Sequence, residues 1–159
     1  MDRPTRPTTD GNQTGAVTPA GRLDDQLCFA LYAATNAVTR TYRPLLKAIG
    51  LTYPQYLVLL ILWEYPSRQV GEIAERLQLA THAVSPILDR LEDAGLVQRS
   101  KGVGDGRVVC VELTAAGVAL EAAAAAVQDE VRCRTLLEPH RVDRLRAELV
   151  ELADRMHDA

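Results

Sequence analysis

The sequence predicts a mainly α fold carrying one two-stranded β wing, and three observations carry that expectation. Aromatic residues make up only 4% of the 159-residue chain while alanine and leucine abound, which favours helix over sheet. Apolar residues recur at three-, four- and seven-residue steps over most of the chain. Between Gly95 and Thr114 the period shortens to that of strands on either side of a glycine-rich turn. With 47% hydrophobic residues the chain can bury one core, so one domain is expected.

Residues 1–22 are rich in Pro, Thr and Gly with little to bury, and are expected to form a disordered tail ahead of a domain over 23–159. From Asp24 a long helix is predicted, with Leu27, Leu31, Val38, Leu45 and Ile49 on its apolar stripe and Gly50 as its stop. Pro44 falls late in it and is expected to kink or break it. Thr52 is a good N-cap, with Pro54 in the first turn, for a second helix, YPQYLVLLILWE. This helix is apolar on nearly all sides and therefore belongs at the centre of the core. Tyr65-Pro66-Ser67 ends it. A short helix follows over Gln69 to Leu77, with Val70, Ile73, Ala74 and Leu77 on one face. After a turn at Gln78-Leu79-Ala80, Thr81 is expected to cap another helix whose buried stripe is Val84, Ile87, Leu88 and Leu91, with Gly95 as its stop. Leu96 to Ser100 and Val108 to Leu113 read as the two strands of the hairpin. Thr114 caps one long helix, AAGVALEAAAAAVQDEVRCRTLL. Pro139 opens a last amphipathic helix with Val142, Leu145, Leu149 and Leu152 facing inward.

Several function classes are disfavoured at once. The N-terminus lacks the apolar segment of a signal peptide, and no apolar run reaches the ~18 residues that span a bilayer, so a cytoplasmic protein without membrane contact is expected. Three cysteines at wide spacing form no disulfide framework and start as thiols in a reducing compartment. His82, His140 and His157 have no metal-ligand spacing with each other or with the cysteines, so neither a metal nor another cofactor is expected. There is no nucleophile triad, phosphate loop or pair of catalytic carboxylates, and an enzyme is not expected.

A short helix, a tight turn, a second helix and a two-stranded hairpin occur in the order of a winged helix-turn-helix, here over about 69–113. In that arrangement the second helix enters the major groove of duplex DNA with its N-terminal residues at the base edges. Those are Thr81, His82, Ser85 and Pro86, with Arg90 further along. Arg107, beside Asp105 at the hairpin tip, suits insertion into the electronegative minor groove. The alternative is a small packed helical unit with a surface hairpin. Charge does not decide between them: the net charge of the chain is −3, and six basic residues face six acidic ones between Arg68 and Arg107. The basic excess is confined to the wing, in Arg99, Lys101 and Arg107. Affinity then depends on placing a few cations well and on having two copies. Helices over 23–50 and 114–156 carry more apolar face than a small winged domain covers, which points to a homodimer on a pseudo-palindromic site.

The segments ERLQLATHAVSPILDRLEDAGLVQRS and GDGRVVCVELTAAG resemble the DNA-binding core of the MarR regulators. LCFALY and LTYPQYLVLLILWE resemble its organic-hydroperoxide-sensing branch, the OhrR type, and the resemblance covers roughly residues 23–155. It implies a repressor whose cysteine, here Cys28, is oxidised by an organic hydroperoxide and which then releases its operator. Without the resemblance, Cys28 on an apolar helix reads as a small hydrophobe. The resemblance also implies that Tyr42 and Tyr53 hydrogen-bond the sensing sulfur. Fourteen residues of continuous helix put Cys28 and Tyr42 about 21 Å apart, so a pairing between them requires the partner chain or a fold-back. Tyr32, four residues from Cys28, can touch it within the chain. Phe29 and its neighbours form an apolar surround consistent with the branch's preference for bulky peroxides. For each tyrosine, packing at the dimer interface is the competing reading.

Cys133 matches the second cysteine of a two-cysteine subgroup, in which the oxidised sensor condenses with a cysteine of the other subunit. Arg132 and Arg134 flank it with charge of the sign that favours a thiolate, although side chains adjacent in sequence diverge on a helix. Cys110, in the wing, has no assigned role. Two other readings stay open: a MarR-type repressor released by a small phenolic or other ligand, with Cys28 structural, and a thiol peroxidase, for which a wing and recognition helix have no use.

Overall fold

The computed structural model describes residues 21–101 and 108–157 and divides the chain into two units, 1–36 and 37–159. In the first unit a single 3-10 turn, Leu23–Asp25, precedes α1 (Leu27–Ala48). The Gln26 N–H closes that turn on the Leu23 carbonyl at 3.1 Å. Pro44 does not break α1; the helix continues through it to Ala48. Gly50, at φ +78°, supplies the left-handed residue that stops it, and the Leu51 N–H returns to the Leu46 carbonyl at 2.9 Å.

In the second unit α2 (Tyr53–Glu64) is the central element, with Tyr56, Val58, Leu59 and Leu62 among its buried residues. Gln55, itself buried, folds back to accept the Thr52 N–H at 2.8 Å, which is half of a capping box. The short strand β1 (Ser67–Gln69) leads into α3 (Val70–Arg76), and α4 (Thr81–Asp93) follows. The predicted face of α4 is inward: Val84, Leu88 and Leu91 are fully buried, and Ile87 packs partly against the same core. Thr81 is the first residue of α4 and not its cap. Ala80 holds the capping position and has no side chain to offer, so the start of the helix keeps free N–H groups.

The expected two-stranded wing belongs to a three-stranded antiparallel sheet of order β1-β3-β2. Strands β2 (Val97–Lys101) and β3 (Val109–Leu113) form the hairpin, with Val97 opposite Leu113 and Lys101 opposite Val109. Strand β1 adds to the other edge of β3, Arg68 opposite Val111. Its Ser-Arg-Gln sequence has no apolar alternation to announce a strand; Arg68 lies over the Tyr65 ring, 4.1 Å from its centroid.

The single helix expected after Thr114 is two, α5 (Ala115–Ala119) and α6 (Glu121–Arg134), separated at Leu120. Helix α5 is docked closely: Gly117 approaches the Leu96 carbonyl, and the Trp63 indole N–H donates to the Gly117 carbonyl at 3.0 Å. Helix α6 buries Ala124, Val127 and Val131 along its own stripe, so the joint at Leu120 lets the two pieces seat separately. Helix α7 (Pro139–His157) corrects the sequence reading: none of its residues is buried within the chain, and Leu145 and Leu149 are exposed where an inward face was expected. Val142 and Leu152 of the same stripe are half-buried, so among the described residues the stripe is only partly covered.

Candidate functional site

Two groups of residues carry the chemistry. The first is built by α3, α4 and the sheet. Gln78, at φ +53°, makes the tight turn between α3 and α4, and the Leu79 N–H closes it on the Ala74 carbonyl at 2.9 Å. That turn presents the start of α4. Thr81, His82, Pro86 and Arg90 are exposed, while Ser85 is half-buried, its hydroxyl donating to the Thr81 carbonyl at 3.3 Å. Thr81, Ser85, Gly71 and Val109 are among the residues lining a groove of about 430 Å³ between the starts of both helices and the wing. Lys101 is exposed at the end of β2. Asp105 and Arg107 lie outside the described residues.

Arg99 is placed differently from the free cation expected of it. Its Nε and Nη2 donate to Glu92 Oε2 at 2.8 and 2.6 Å, and Nη2 also donates to Asp89 at 2.6 Å. Its backbone N–H donates to Glu92 Oε1 at 2.9 Å. Arg99 therefore braces wing strand β2 against two acids of α4. These hydrogen bonds hold the Glu92 carboxyl below the usual carboxylate range. A depressed carboxylate keeps its partner at all higher pH and loses it as pH falls through the lowered value. The brace therefore persists at neutral pH and opens only in acid. Sequence gave no signal for it, because the three residues lie on different elements across the Gly95 turn.

The second group holds the thiols and tyrosines. In the first unit Cys28 is the second residue of α1 and is exposed; Tyr32 is 66% exposed and Phe29 is half-buried. Cys28 is therefore not a core hydrophobe of the single chain. In the second unit Tyr42 of α1 stands against Tyr53 of α2 with ring centroids 5.1 Å apart. A third ring, Tyr56, joins them at 5.5 Å from Tyr42 and 6.3 Å from Tyr53. Burial raises the pKa of all three phenols, and the neighbouring phenols raise those of Tyr53 and Tyr56 further. Tyr56 was missed in sequence because it reads as one more large residue on an apolar helix. Cys133 is exposed near the end of α6, and Cys110 is half-buried in β3. The arginines beside Cys133 are engaged with acids of their own helix, in keeping with the divergence of side chains adjacent in sequence. Arg132 pairs with Asp129 at 3.0 Å and Arg134 with Glu130 at 2.8 Å, since acids three and four residues back share their helix faces.

Comparison with known proteins follows the same lines. The pattern of the MarR family matches residues 51–109. Over 136 residues the chain is 35% identical to the organic hydroperoxide resistance transcriptional regulator of Bacillus subtilis (strain 168), covering 86% of this chain and 92% of that protein. Two similar solved structures are of AbfR, a protein of Staphylococcus epidermidis. Reduced AbfR bound to DNA is 32% identical with a TM-score of 0.70, covering 85% of this chain and 94% of that one. Disulfide-formed AbfR is 31% identical with a TM-score of 0.61, covering 86% and 91%. The similar curated proteins are transcriptional regulators, not enzymes.

Proposed function

Because the chain belongs to the MarR family of transcriptional regulators, we propose that it is a homodimeric repressor that leaves a pseudo-palindromic operator when an organic hydroperoxide oxidises Cys28. The observation that carries this reading is the exposure of Cys28 at the start of α1 in a chain that also clusters Tyr42 with Tyr53. Within its own chain the Cys28 thiol fills no core, and the relative from Bacillus subtilis is named for resistance to this class of oxidant. AbfR, similar over most of its length, exists in a reduced DNA-bound form and in a disulfide form.

The proposed chemistry balances as follows. The Cys28 thiolate attacks one peroxide oxygen; the S–O bond forms, the O–O bond breaks, and the alkoxide takes up a proton to leave as the alcohol. Sulfur is oxidised to the sulfenic acid and the peroxide is reduced. Tyr42 and Tyr53 of the other subunit donate hydrogen bonds to the sulfur, and Tyr32 and Phe29 border it. The Cys133 thiolate of the other subunit then attacks the sulfenic sulfur; the S–S bond forms, the S–O bond breaks, and the leaving hydroxide takes up a proton to depart as water. That bond requires Cα atoms within about 7 Å. Any helix movement needed to reach it alters the spacing of two recognition helices whose half-sites are fixed by the pitch of DNA. After hydroperoxide treatment, non-reducing electrophoresis is expected to show a covalent dimer for the wild type and a monomer band for Cys133→Ser. A covalent dimer that survives Cys133→Ser removes Cys133 from the route.

On the DNA side, Thr81, His82, Ser85, Pro86 and Arg90 serve the major groove, and Lys101, Asp105 and Arg107 serve the wing. Arg99 acts through its brace. Arg99→Ala is expected to weaken operator binding roughly tenfold while leaving the slope of log affinity against log salt unchanged, as measured by fluorescence anisotropy from low to moderate salt. A slope reduced by about one unit marks a lost phosphate contact instead.

One observation favours a second reading. A cavity of about 380 Å³ beside Tyr53 is lined by Arg43, Lys47, Thr39 and Thr52 together with Leu51 and Pro54, which suits a small aromatic anion. A repressor released by such a ligand stays responsive after Cys28→Ser.

A further inference from the structure

We propose that Trp63 is the positioning residue that couples the sensing tyrosines to the DNA-binding face: its indole N–H, held by the Gly117 carbonyl, ties the far end of α2 to the end of the recognition helix α4 and to the base of the wing. The inference rests on the redox reading of Cys28.

Helix α2 is built to move as one piece. Tyr53 is its first residue and Trp63 its last but one, which places them about 15 Å apart along the axis. Between them Tyr56, Val58, Leu59, Ile61 and Leu62 are buried. The bond from the Thr52 N–H to Gln55, at 2.8 Å, keeps the first turn wound up to Tyr53. Close-packed interiors have low compressibility and transmit strain. A displacement of Tyr53 therefore arrives at Trp63.

At that end the hold is directional. Trp63 is the chain's single tryptophan and is half-buried, and its N–H donates to the Gly117 carbonyl at 3.0 Å. That carbonyl is among the last four of the short helix α5, where the helical ladder runs out and leaves acceptors open. From Gly117 the connections are short and successive. The Gly117 N–H donates to the Thr114 hydroxyl at 3.1 Å, that hydroxyl donates to the Gly95 carbonyl at 2.6 Å, and the Thr114 N–H donates to the Leu96 carbonyl at 3.1 Å. Gly95 follows α4, Leu96 leads into β2, and Thr114 follows β3. The junction has no slack, since Gly117 already lies too close to the Leu96 carbonyl to admit a Cβ. Apolar packing between α2 and α4 is non-directional and tolerates sliding. The indole bond instead fixes the register of α2 against the recognition helix and the wing together. Without that donor, sensing stays intact and its effect on the DNA-binding face weakens.

The test uses full-length homodimer, operator duplex and tert-butyl hydroperoxide. Operator affinity is measured by fluorescence anisotropy for reduced protein and for protein whose Cys28 is oxidised, as counted by mass spectrometry of the Cys28 peptide. The quantity read is the ratio of the two dissociation constants. Trp63→Phe keeps an aromatic ring and removes the N–H. It is expected to oxidise at Cys28 at the wild-type rate, to bind operator when reduced, and to shrink the ratio roughly fivefold, the worth of one hydrogen bond. Leu60→Ala, one turn back on α2 and half-buried, removes packing but no hydrogen bond, and is expected to leave the ratio unchanged. A Trp63→Phe ratio equal to that of wild type overturns the inference and leaves the redox reading standing. An equal fall in Leu60→Ala also overturns it, since packing alone then carries the coupling. If Trp63→Phe does not bind operator when reduced, β-(3-benzothienyl)alanine at position 63 takes its place in the same comparison and is read in the same way, because it keeps the bicyclic ring with sulfur instead of N–H. A wild type that binds operator equally well with Cys28 oxidised removes the redox reading and this inference with it.

Discussion

Replacing Cys28 by serine is expected to leave the reduced protein's affinity for its operator within about twofold of wild type and to abolish release by organic hydroperoxide. Cys28 is exposed at the start of α1, so exchanging sulfur for oxygen opens no cavity in the core of the chain. An exposed substitution away from a packed or capped position changes stability by about 0.5 kcal/mol or less. The chemical change is far larger. A serine hydroxyl is not ionised at neutral pH and does not attack a peroxide bond, so the rate of the sensing step falls by orders of magnitude. Fluorescence anisotropy on labelled operator reads both quantities in one titration. Release of Cys28→Ser at the wild-type peroxide concentration favours the ligand-gated reading and the cavity beside Tyr53.

Gly117→Ala is expected to cost about 3 kcal/mol of stability, the upper part of the range for overpacking. A Cβ at position 117 runs into the Leu96 carbonyl oxygen and lies 3.1 Å from the Leu96 carbonyl carbon. The obstacle is backbone, and it is pinned. Leu96 O accepts the Thr114 N–H at 3.1 Å, and the Thr114 hydroxyl donates to the Gly95 carbonyl at 2.6 Å. The Gly117 N–H is itself used, donating to the Thr114 hydroxyl at 3.1 Å, and its carbonyl holds Trp63. Relief therefore requires α5 to lift from the hairpin, which loosens the base of the wing as well. For a chain of this size the loss corresponds to a drop of roughly 6–12 °C in Tm. Thermal unfolding followed by circular dichroism measures it. A Tm within about 2 °C of wild type means that α5 is not held against the hairpin as described.

These two sites show where sequence was and was not informative. The role proposed for Cys28 comes only from resemblance, because one thiol on an apolar helix carries no pattern of its own. The close approach at Gly117 was not legible, since a glycine inside an alanine-rich helix reads as a weak helix former until its neighbour across the fold is known. At several local signals the reading held. Thr52 and Pro54 mark the start of α2, Gly50 and Gly95 take positive φ at the ends of α1 and α4, and the stripe Val84, Leu88, Leu91 faces the core. Where the deciding partner is distant, it did not. Strand β1 exists because β3 offers an edge to Ser67–Gln69, and nothing in those three polar residues states that. Arg99 looked like a free wing cation because its acids lie on the preceding helix. The stripe of α7 was read as inward from periodicity, which reports that a face is apolar and not which surface covers it. In a family of dimers that cover is a second chain, and the same exposed stripe is what a helical dimer interface requires.

The most direct measurement follows DNA release and the state of Cys28 in the same sample. Operator-bound protein is titrated with an organic hydroperoxide, anisotropy gives the fraction released, and aliquots quenched with an alkylating agent give the fraction of Cys28 that remains thiol. The account predicts that the two fractions track each other at every point, and that a thiol reductant restores both together. Release from the operator while Cys28 is still a free thiol contradicts it.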